Sequence, residues 1–409
     1  MRYRTLYKTL EDHLDQKSYT IITGARQVGK TSLLRQLYTH LKEKEEVAVF
    51  LNLENKDVLD SINSDTENVF NRVVIKPKSI LEGVSEKRIY LFVDEIQYLD
   101  DPTNFLKYLF DEYDINVKVV ATGSSAFYID KKFKDSLAGR KRIFQLYPLS
   151  FSEFLVFREE RELIRDYAHM VQEPSYVTQY GVDAAFLFRE YLTFGGYPAV
   201  VLEENRKEKR HILEELKNSY LRRDLIESGV DKEQQFLMLV KLLADQVGQM
   251  VNKNELSRTL RIDNKTVERY VYILQKCFHI DMVQPYHKNL RKELTKMSKV
   301  YFNDLGMRNA ILGRFDLPRD RQDKGEHFEN FIYNQLRIKH DAYDIKYWRT
   351  VNGHEVDFVI EEGFNQGYAL EVKWNCENFR PNKYKKFKET YPEFPLSCMD
   401  TKNVEILTY

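Results

Sequence analysis

YTIITGARQVGKTSLLRQLYTHL, residues 19–41, is the stretch whose reading decides the fold. It opens on an apolar run closed by glycine, as a short buried strand does, and ends on apolar residues at helical spacing. Between the two, GARQVGKT at residues 24–31 fits the pattern G-x-x-x-x-G-K-[ST]. Gly24 and Gly29 frame a loop whose backbone N–H groups, from Ala25, Arg26, Gln27 and Val28, turn inward on phosphate oxygens. Lys30 brings a cation to the β and γ positions, and Thr31 offers a hydroxyl to Mg²⁺. Ser32 follows in the first turn of a helix whose N-terminal partial charge points at the same phosphates. The stretch therefore predicts a strand–loop–helix unit that binds ATP with magnesium.

Working outward, residues 1–150 alternate apolar runs with helical stretches, the pattern of a parallel α/β sheet. The runs are YTIITG (19–24), VAVFLNL (47–53), RIYLFVDEI (88–96), VKVVATG (117–123) and RIFQLYPL (142–149). IYLFVDE, residues 89–95, ends a buried strand in two carboxylates. Asp94 is expected in the magnesium shell, and Glu95 is expected to orient or deprotonate the attacking water. After the next strand, one of Thr122, Ser124 or Ser125 is placed to contact the γ-phosphate or water, a plain polar turn being the alternative. Phosphoryl transfer also calls for an arginine. Arg140 in LAGRKR is the first catalytic candidate, and Arg222 and Arg223 in SYLRRD come next. Whether Arg140 serves its own site or that of a neighbouring copy is open, and the second case demands a homo-oligomer.

The whole chain agrees with this reading. Its 409 residues are enough for two or three domains. Lys+Arg and Asp+Glu both number 63, so no global field draws the molecule to nucleic acid and any such surface must be local. A hydrophobic fraction of 43% with 31% charged residues is a soluble globular balance. The N-terminus lacks the apolar core of a signal peptide, and no apolar run approaches the ~18–20 residues that span a bilayer. No membrane partner is expected, and the location is expected to be cytoplasmic. Cys277, Cys376 and Cys398 lie far apart and are expected to be reduced, with neither a disulfide framework nor a zinc box.

Taken together, GARQVGKTSLL, LFVDEIQYL, ATGSS, LAGRKRIFQLYPLSFSEFL and FGGYPAVV resemble a widespread prokaryotic group of AAA-type ATPases. The resemblance runs over nearly the whole chain. It implies a RecA-like/AAA P-loop ATPase domain and a C-terminal region of unassigned function that is similar to restriction endonucleases. It supplies no substrate.

Beyond the ATPase domain at 1–150, a helical connector is expected over 151–248. A winged helix-turn-helix is expected over 249–315. NKNELSRTLRIDNKTVERYVYILQKCFHI (252–280) has the apolar spacing of two short helices around a tight turn, with Asp263 as N-cap of the second. A module of this kind that bound DNA (or RNA) would use Lys265 and Arg269 in the groove and the lysines of HKNLRKELTK on phosphates. Glu268 in the middle of that helix speaks against it, and packing against a partner is the alternative.

Residues 323–409 read helix, three strands, helix, strand, an αβββαβ order that ends in VEILTY. This order resembles the restriction-endonuclease-like (PD-(D/E)xK) nuclease core. By that resemblance Asp357 and Glu371 would be ligands of Mg²⁺ or Mn²⁺, and Glu329 would help through water. Lys373 would polarise the attacking water or steady the scissile phosphate, as a catalytic group. Arg380, Lys383, Lys385, Lys386 and Lys388 lie just beyond, where a nucleic-acid backbone could run. Two functions remain open on this evidence. One couples ATP to nucleic-acid binding or metal-dependent cleavage. The other is an ATP-driven regulatory switch whose nuclease-like domain binds a partner without cutting.

Overall fold

The computed structural model describes residues 2–73, 76–123, 137–160, 181–287, 297–363 and 366–401. The chain divides into two compact units, residues 1–147 with 276–278, and residues 148–275 with 279–409.

In the first unit the elements run α1 (Leu6–His13), β1 (Tyr19–Gly24), α2 (Lys30–Glu43), β2 (Val47–Asn52), α3 (Lys56–Ser64) and β3 (Ile89–Asp94), then α4 (Pro102–Tyr113), β4 (Val117–Gly123) and β5 (Lys141–Leu146). The strands form one sheet in the order β2-β3-β4-β1-β5, with every neighbouring pair parallel. This is an α/β fold of the P-loop type. All residues of β1, β3 and β4 are buried, which is why these strands read as unbroken apolar runs rather than alternating ones. Tyr19, Ile21, Leu91, Val93 and Val119 pack with Phe105, Leu106 and Leu109 of α4. Parallel pairing brings every strand's C-terminal end to one edge, so that Asn52 lies beside Asp94, Thr23 beside Gly123 and Gly24 beside Leu146. Functional side chains gather at this edge.

The second unit begins with α5 (Phe151–Phe157), α6 (Gly181–Phe194), α7 (Pro198–Leu202), α8 (Arg206–Glu227) and α9 (Glu233–Asp245). Next come α10 (Lys253–Leu260), α11 (Asn264–Lys276), an antiparallel hairpin of β6 (Ile280–Val283) and β7 (Lys299–Phe302), and α12 (Leu305–Leu312). The last set is α13 (Lys324–Lys339), β8 (Ile345–Arg349), β9 (Glu355–Gly363), β10 (Gln366–Val372), α14 (Lys385–Thr390) and β11 (Leu396–Met399). Its sheet has the order β11-β10-β9-β8, antiparallel except for β10 with β11. The element order from α13 onward is αβββαβ. The closing strand is LSCM at 396–399. VEILTY, expected to fill that place, lies outside the described residues.

The GGYP turn of residues 195–198 is clamped by Asp304, which accepts hydrogen bonds from the backbone N–H of Gly196 (2.7 Å) and of Met307 (2.7 Å). The second of these caps α12. A Cβ on Gly306 would stand 2.0 Å from the Phe194 carbonyl oxygen, so only glycine fits this crossing of α6 and α12.

The expectation of reduced cysteines is overturned at one pair: Cys376 and Cys398 are joined by a disulfide, with Cα atoms 6.1 Å apart. The parallel register sets Cys398 beside Glu371 of β10, and the turn after β10 returns Cys376 to the same place. Distance in sequence is a poor guide where a parallel strand brings the chain back. Cys277 is buried. Among the described residues no helix is long and apolar enough to cross a membrane.

Candidate functional site

The loop between β1 and α2 is closely packed. A Cβ on Gly24 would lie 2.1 Å from the Leu146 carbonyl oxygen, so a side chain there would part β1 from β5. Gly29 caps α2 in the left-handed region, at φ 99°. Lys30 is 5% exposed, and its ammonium donates to the carbonyls of Gly24 (3.1 Å) and Ala25 (2.7 Å) inside the loop. Ala25 and Val28 are buried, Gln27 and Ser32 are exposed, and Arg26 is half-buried.

Asp94, at the end of β3, accepts at Oδ1 from the Thr31 hydroxyl (3.1 Å) and from the Thr122 hydroxyl (2.5 Å). The backbone N–H of Glu95 donates to Thr122 Oγ1 at 2.9 Å. Glu95 itself sits at φ 59°, a strained conformation of the kind found at working sites, with Gln97 Nε2 on its carboxylate. Of the three polar candidates at the end of β4, Thr122 is tied to Asp94, while Ser124 and Ser125 lie outside the described residues. Thr31 and Asp94 fit magnesium: a hydroxyl and a carboxylate face each other at the loop mouth, hard oxygen donors of the kind this ion takes.

Arg140 is not at this site. Its carbonyl accepts from Tyr19 N–H at the opposite edge of the sheet, and its guanidinium is paired with Asp111 at 2.9 Å. The six residues of β1 separate that edge from Gly24, about 17 Å at ~3.3 Å per residue, too far for an arginine side chain. Arg140 therefore cannot meet the phosphates of its own loop. Arg222 is exposed on α8, and Arg223 of the same helix donates to Glu227 at 3.0 Å.

The C-terminal candidates converge, but in a different arrangement from the expected metal centre. Lys373 is ion-paired with Glu371, and its Nζ is 4.0 Å from Asp357 Oδ2. That oxygen of Asp357 accepts from the Val372 backbone N–H at 2.8 Å. Glu329, on α13, accepts at Oε1 from Lys299 (2.9 Å) and from the Tyr301 hydroxyl (2.5 Å). Lys299 also reaches Glu355 Oε1 at 2.6 Å and Asp357 Oδ1 at 3.7 Å. Burial works against the Lys299 ammonium, but Glu329, Asp357 and Glu355 together hold its pKa above the ordinary value. Burial raises Glu329, against the pull of Lys299. Burial and then Asp357 raise Glu371.

Among the described residues no group of three or more His, Cys, Asp or Glu is placed to hold a metal ion. Glu329, Asp357 and Glu371, expected as metal ligands, do not form such a group here. A lysine, not a gap between carboxylates, occupies the middle of the cluster.

In the helix-turn-helix, Asp263 caps α11 as expected, accepting from Thr266 N–H at 2.9 Å. Lys265 and Tyr272 are exposed. Arg269 instead donates to the carbonyls of Ser228 (3.2 Å) and Gly229 (2.6 Å) just past α8, and Glu268 is paired with Lys253 at 3.0 Å. Arg269 thus closes a helix end rather than standing ready for a groove. Most of the expected wing lies outside the described residues. Beyond β10, Arg380 donates to the carbonyls of Glu377 and Phe379, while Lys383, Lys385, Lys386 and Lys388 are exposed.

Comparison with known proteins follows the same division. Residues 16–155 match the family model described as AAA domain. This match supports an ATPase of the AAA type. Residues 185–317 and 324–405 match two models described as domains of unknown function, DUF8612 and DUF4143. An uncharacterized protein of Haemophilus influenzae is 27% identical over 84% of this chain and 79% of its own length. One of Methanocaldococcus jannaschii is 24% identical over 99% of this chain and 85% of its own. Among solved structures, the Aeropyrum pernix ORC2 protein in its ADP form has a TM-score of 0.33 at 11% identity, covering 76% of this chain and 92% of that one. The C. elegans PCH-2 structure has a TM-score of 0.31 at 15% identity, covering 65% of each chain. Likenesses at these scores carry no argument about function.

Four participants escaped the sequence reading. Arg4 donates to Val28 O (2.7 Å) and Tyr147 O (2.8 Å), bracing the phosphate loop from the N-terminal arm, and no motif marks it. Lys299 and Tyr301 share a face of β7 by the alternation of a strand. A lysine within the otherwise apolar KVYF was the available signal. Glu355 stands two residues before Asp357 and so on the same face of β9, a pairing that the same alternation would have given.

Proposed function

We propose that this chain is a magnesium-dependent ATP hydrolase of the AAA type that works as a nucleotide-driven switch. The observation that carries the reading is the Thr31–Asp94–Thr122 cluster at the mouth of the loop that holds Lys30. With ATP bound, the backbone N–H groups of residues 24–29 and the N-terminal end of α2 receive the phosphates, and Lys30 exchanges its loop carbonyls for β and γ oxygens. Thr31 and Asp94 would hold Mg²⁺, which would offset phosphate charge. Glu95 accepts the proton of the attacking water, its backbone fixed by Thr122. Arg140 faces away from its own site, so in this reading it serves a neighbouring copy in a homo-oligomer.

The functional division we adopt is a P-loop domain at 1–150, a helical connector at 151–248, a winged helix at 249–315 and a nuclease-like domain at 323–409. Lys265 and the exposed lysines at 383–388 are the residues offered to DNA or RNA. A cytoplasmic location suits an enzyme that consumes ATP, and there a bridge such as Cys376–Cys398 is unusual.

Lys30→Ala is expected to abolish ATP binding in a titration with a fluorescent ATP analogue. An affinity equal to wild type would remove the reading. Metal-dependent cleavage of nucleic acid is the second reading, favoured by the approach of Lys373 to both Glu371 and Asp357. Plasmid cleavage with Mg²⁺ or Mn²⁺, lost in Lys373→Ala, would restore it.

A further inference from the structure

Two of the three carboxylates that the nuclease resemblance assigned to a metal, Glu329 and Asp357, stand around a lysine together with Glu355, while Glu371 is paired with Lys373. Lys299 Nζ lies 2.9 Å from Glu329 Oε1, 2.6 Å from Glu355 Oε1 and 3.7 Å from Asp357 Oδ1. The Lys299 side chain is 2% exposed, and the three carboxylates come from two elements, α13 and β9. Distances of 2.6 and 2.9 Å are those of charge-assisted N–H···O bonds. The surroundings also match an ammonium. Tyr301, two residues along β7, donates to the same Glu329 oxygen, and Arg349 holds the other oxygen of Glu355 at 2.6 Å. Asp357 spends its second oxygen on the Val372 N–H. Each carboxylate is thus held for the lysine by a neighbour. An ammonium buried this deeply persists only when paired, and removing it would leave three acidic groups crowded around one point.

We propose that Lys299 is the resident cation of the C-terminal acidic cluster, so that Glu329, Glu355 and Asp357 fasten the β6–β7 hairpin to α13 and β9 instead of enclosing a divalent metal. The inference rests on the switch reading of the C-terminal domain and is independent of ATP hydrolysis. Withdrawing the ammonium would turn Glu329, Glu355 and Asp357 into a site for a divalent cation. The chain would then have gained by substitution what its wild-type form lacks.

The test follows free Mn²⁺ by electron paramagnetic resonance in the nucleotide-free full chain, with Asp94→Asn as background to remove the P-loop ligand. With Lys299 present, Mn²⁺ binding is expected to be the same with and without Asp357→Asn. Lys299→Ala is expected to lower Tm and to gain an Mn²⁺ site at least about tenfold tighter than the parent, equal to ~1.4 kcal/mol, which Asp357→Asn then removes. Mn²⁺ bound by the Lys299-containing protein and lost in Asp357→Asn would overturn the proposal, and so would a Lys299→Ala protein with unchanged Tm. If Lys299→Ala does not fold, the pair with Lys299 intact still decides, because the proposal requires Asp357→Asn to make no difference there. Steady-state ATP hydrolysis of the unsubstituted chain, measured separately, tells failure of the switch reading from failure of this one.

Discussion

At the scale of residues, the phosphate loop was legible because its chemistry is contiguous. Eight consecutive positions carry the glycines, the lysine and the hydroxyl, and local geometry brings them together whatever the rest of the chain does. Asp94 and Glu95 were legible for the same reason, as the end of one strand. Thr122 was only one of three candidates, since strand ends commonly carry small polar residues. Its bonds to Asp94 and to the Glu95 N–H single it out. Thr122→Val keeps the volume and removes both bonds. Losing a hydrogen bond to a charged group costs about 1.5–3 kcal/mol, which corresponds to a fall in kcat of roughly 10- to 100-fold. ATP affinity should stay near wild type in the same protein, and measuring kcat and Kd side by side checks this. An unchanged kcat would mean that Thr122 does not position the catalytic carboxylate. That Arg140 stands away from its own phosphate loop was not legible: proximity to the last strand says nothing about which end of that strand a residue occupies.

At the scale of elements, the apolar runs placed β1 to β4 to within a residue or two, most plainly β1, β3 and β4, because strands buried on both faces leave an unbroken apolar pattern. Contacts between distant elements left no such trace. The Asp304 clamp is one. Burial pushes its carboxyl up to about 6 while backbone N–H groups of Gly196, Met307 and Gly306 pull it down. Asp304→Ala leaves these buried donors without an acceptor and should cost about 3 kcal/mol of stability, read from chemical denaturation. A loss below about 0.5 kcal/mol, the ordinary scatter of surface changes, would contradict the clamp.

His13 on α1 is another such contact. It is 4% exposed, with Nδ1 on Thr20 at 2.7 Å, and burial, with Lys118 and Arg142 nearby, lowers its pKa to about 4. The unfolded chain, with a pKa near 6.5, then binds the proton that the folded chain refuses. Stability is therefore retained above about pH 6.5 and lost as pH falls toward 4, by up to about 3 kcal/mol. His13→Gln should flatten the dependence of Tm on pH across that window, and a slope identical to wild type would contradict the assignment.

At the scale of the whole molecule, the sequence carried the αβββαβ order and the approach of Asp357, Glu371 and Lys373, yet not what they do together. The resemblance to nucleases fixed attention on positions within that segment. The cation among its carboxylates comes from β7, outside the segment, and nothing in a motif reports which neighbouring strand will lean on it. The Cys376–Cys398 bridge was missed in the same way, being a consequence of parallel pairing between β10 and β11. The phosphate loop carries its own glycines, lysine and hydroxyl in eight consecutive residues, and the central claim belongs to its domain. The measurement that tests that claim most directly is steady-state ATP hydrolysis with Mg²⁺ by wild type and by Glu95→Gln, each shown to bind ATP. The account predicts turnover in wild type and a loss of ~10²–10⁴-fold in Glu95→Gln with ATP still bound. Wild type that binds ATP without hydrolysing it, or Glu95→Gln turning over within about twofold of wild type, far short of that acid–base loss, would contradict it.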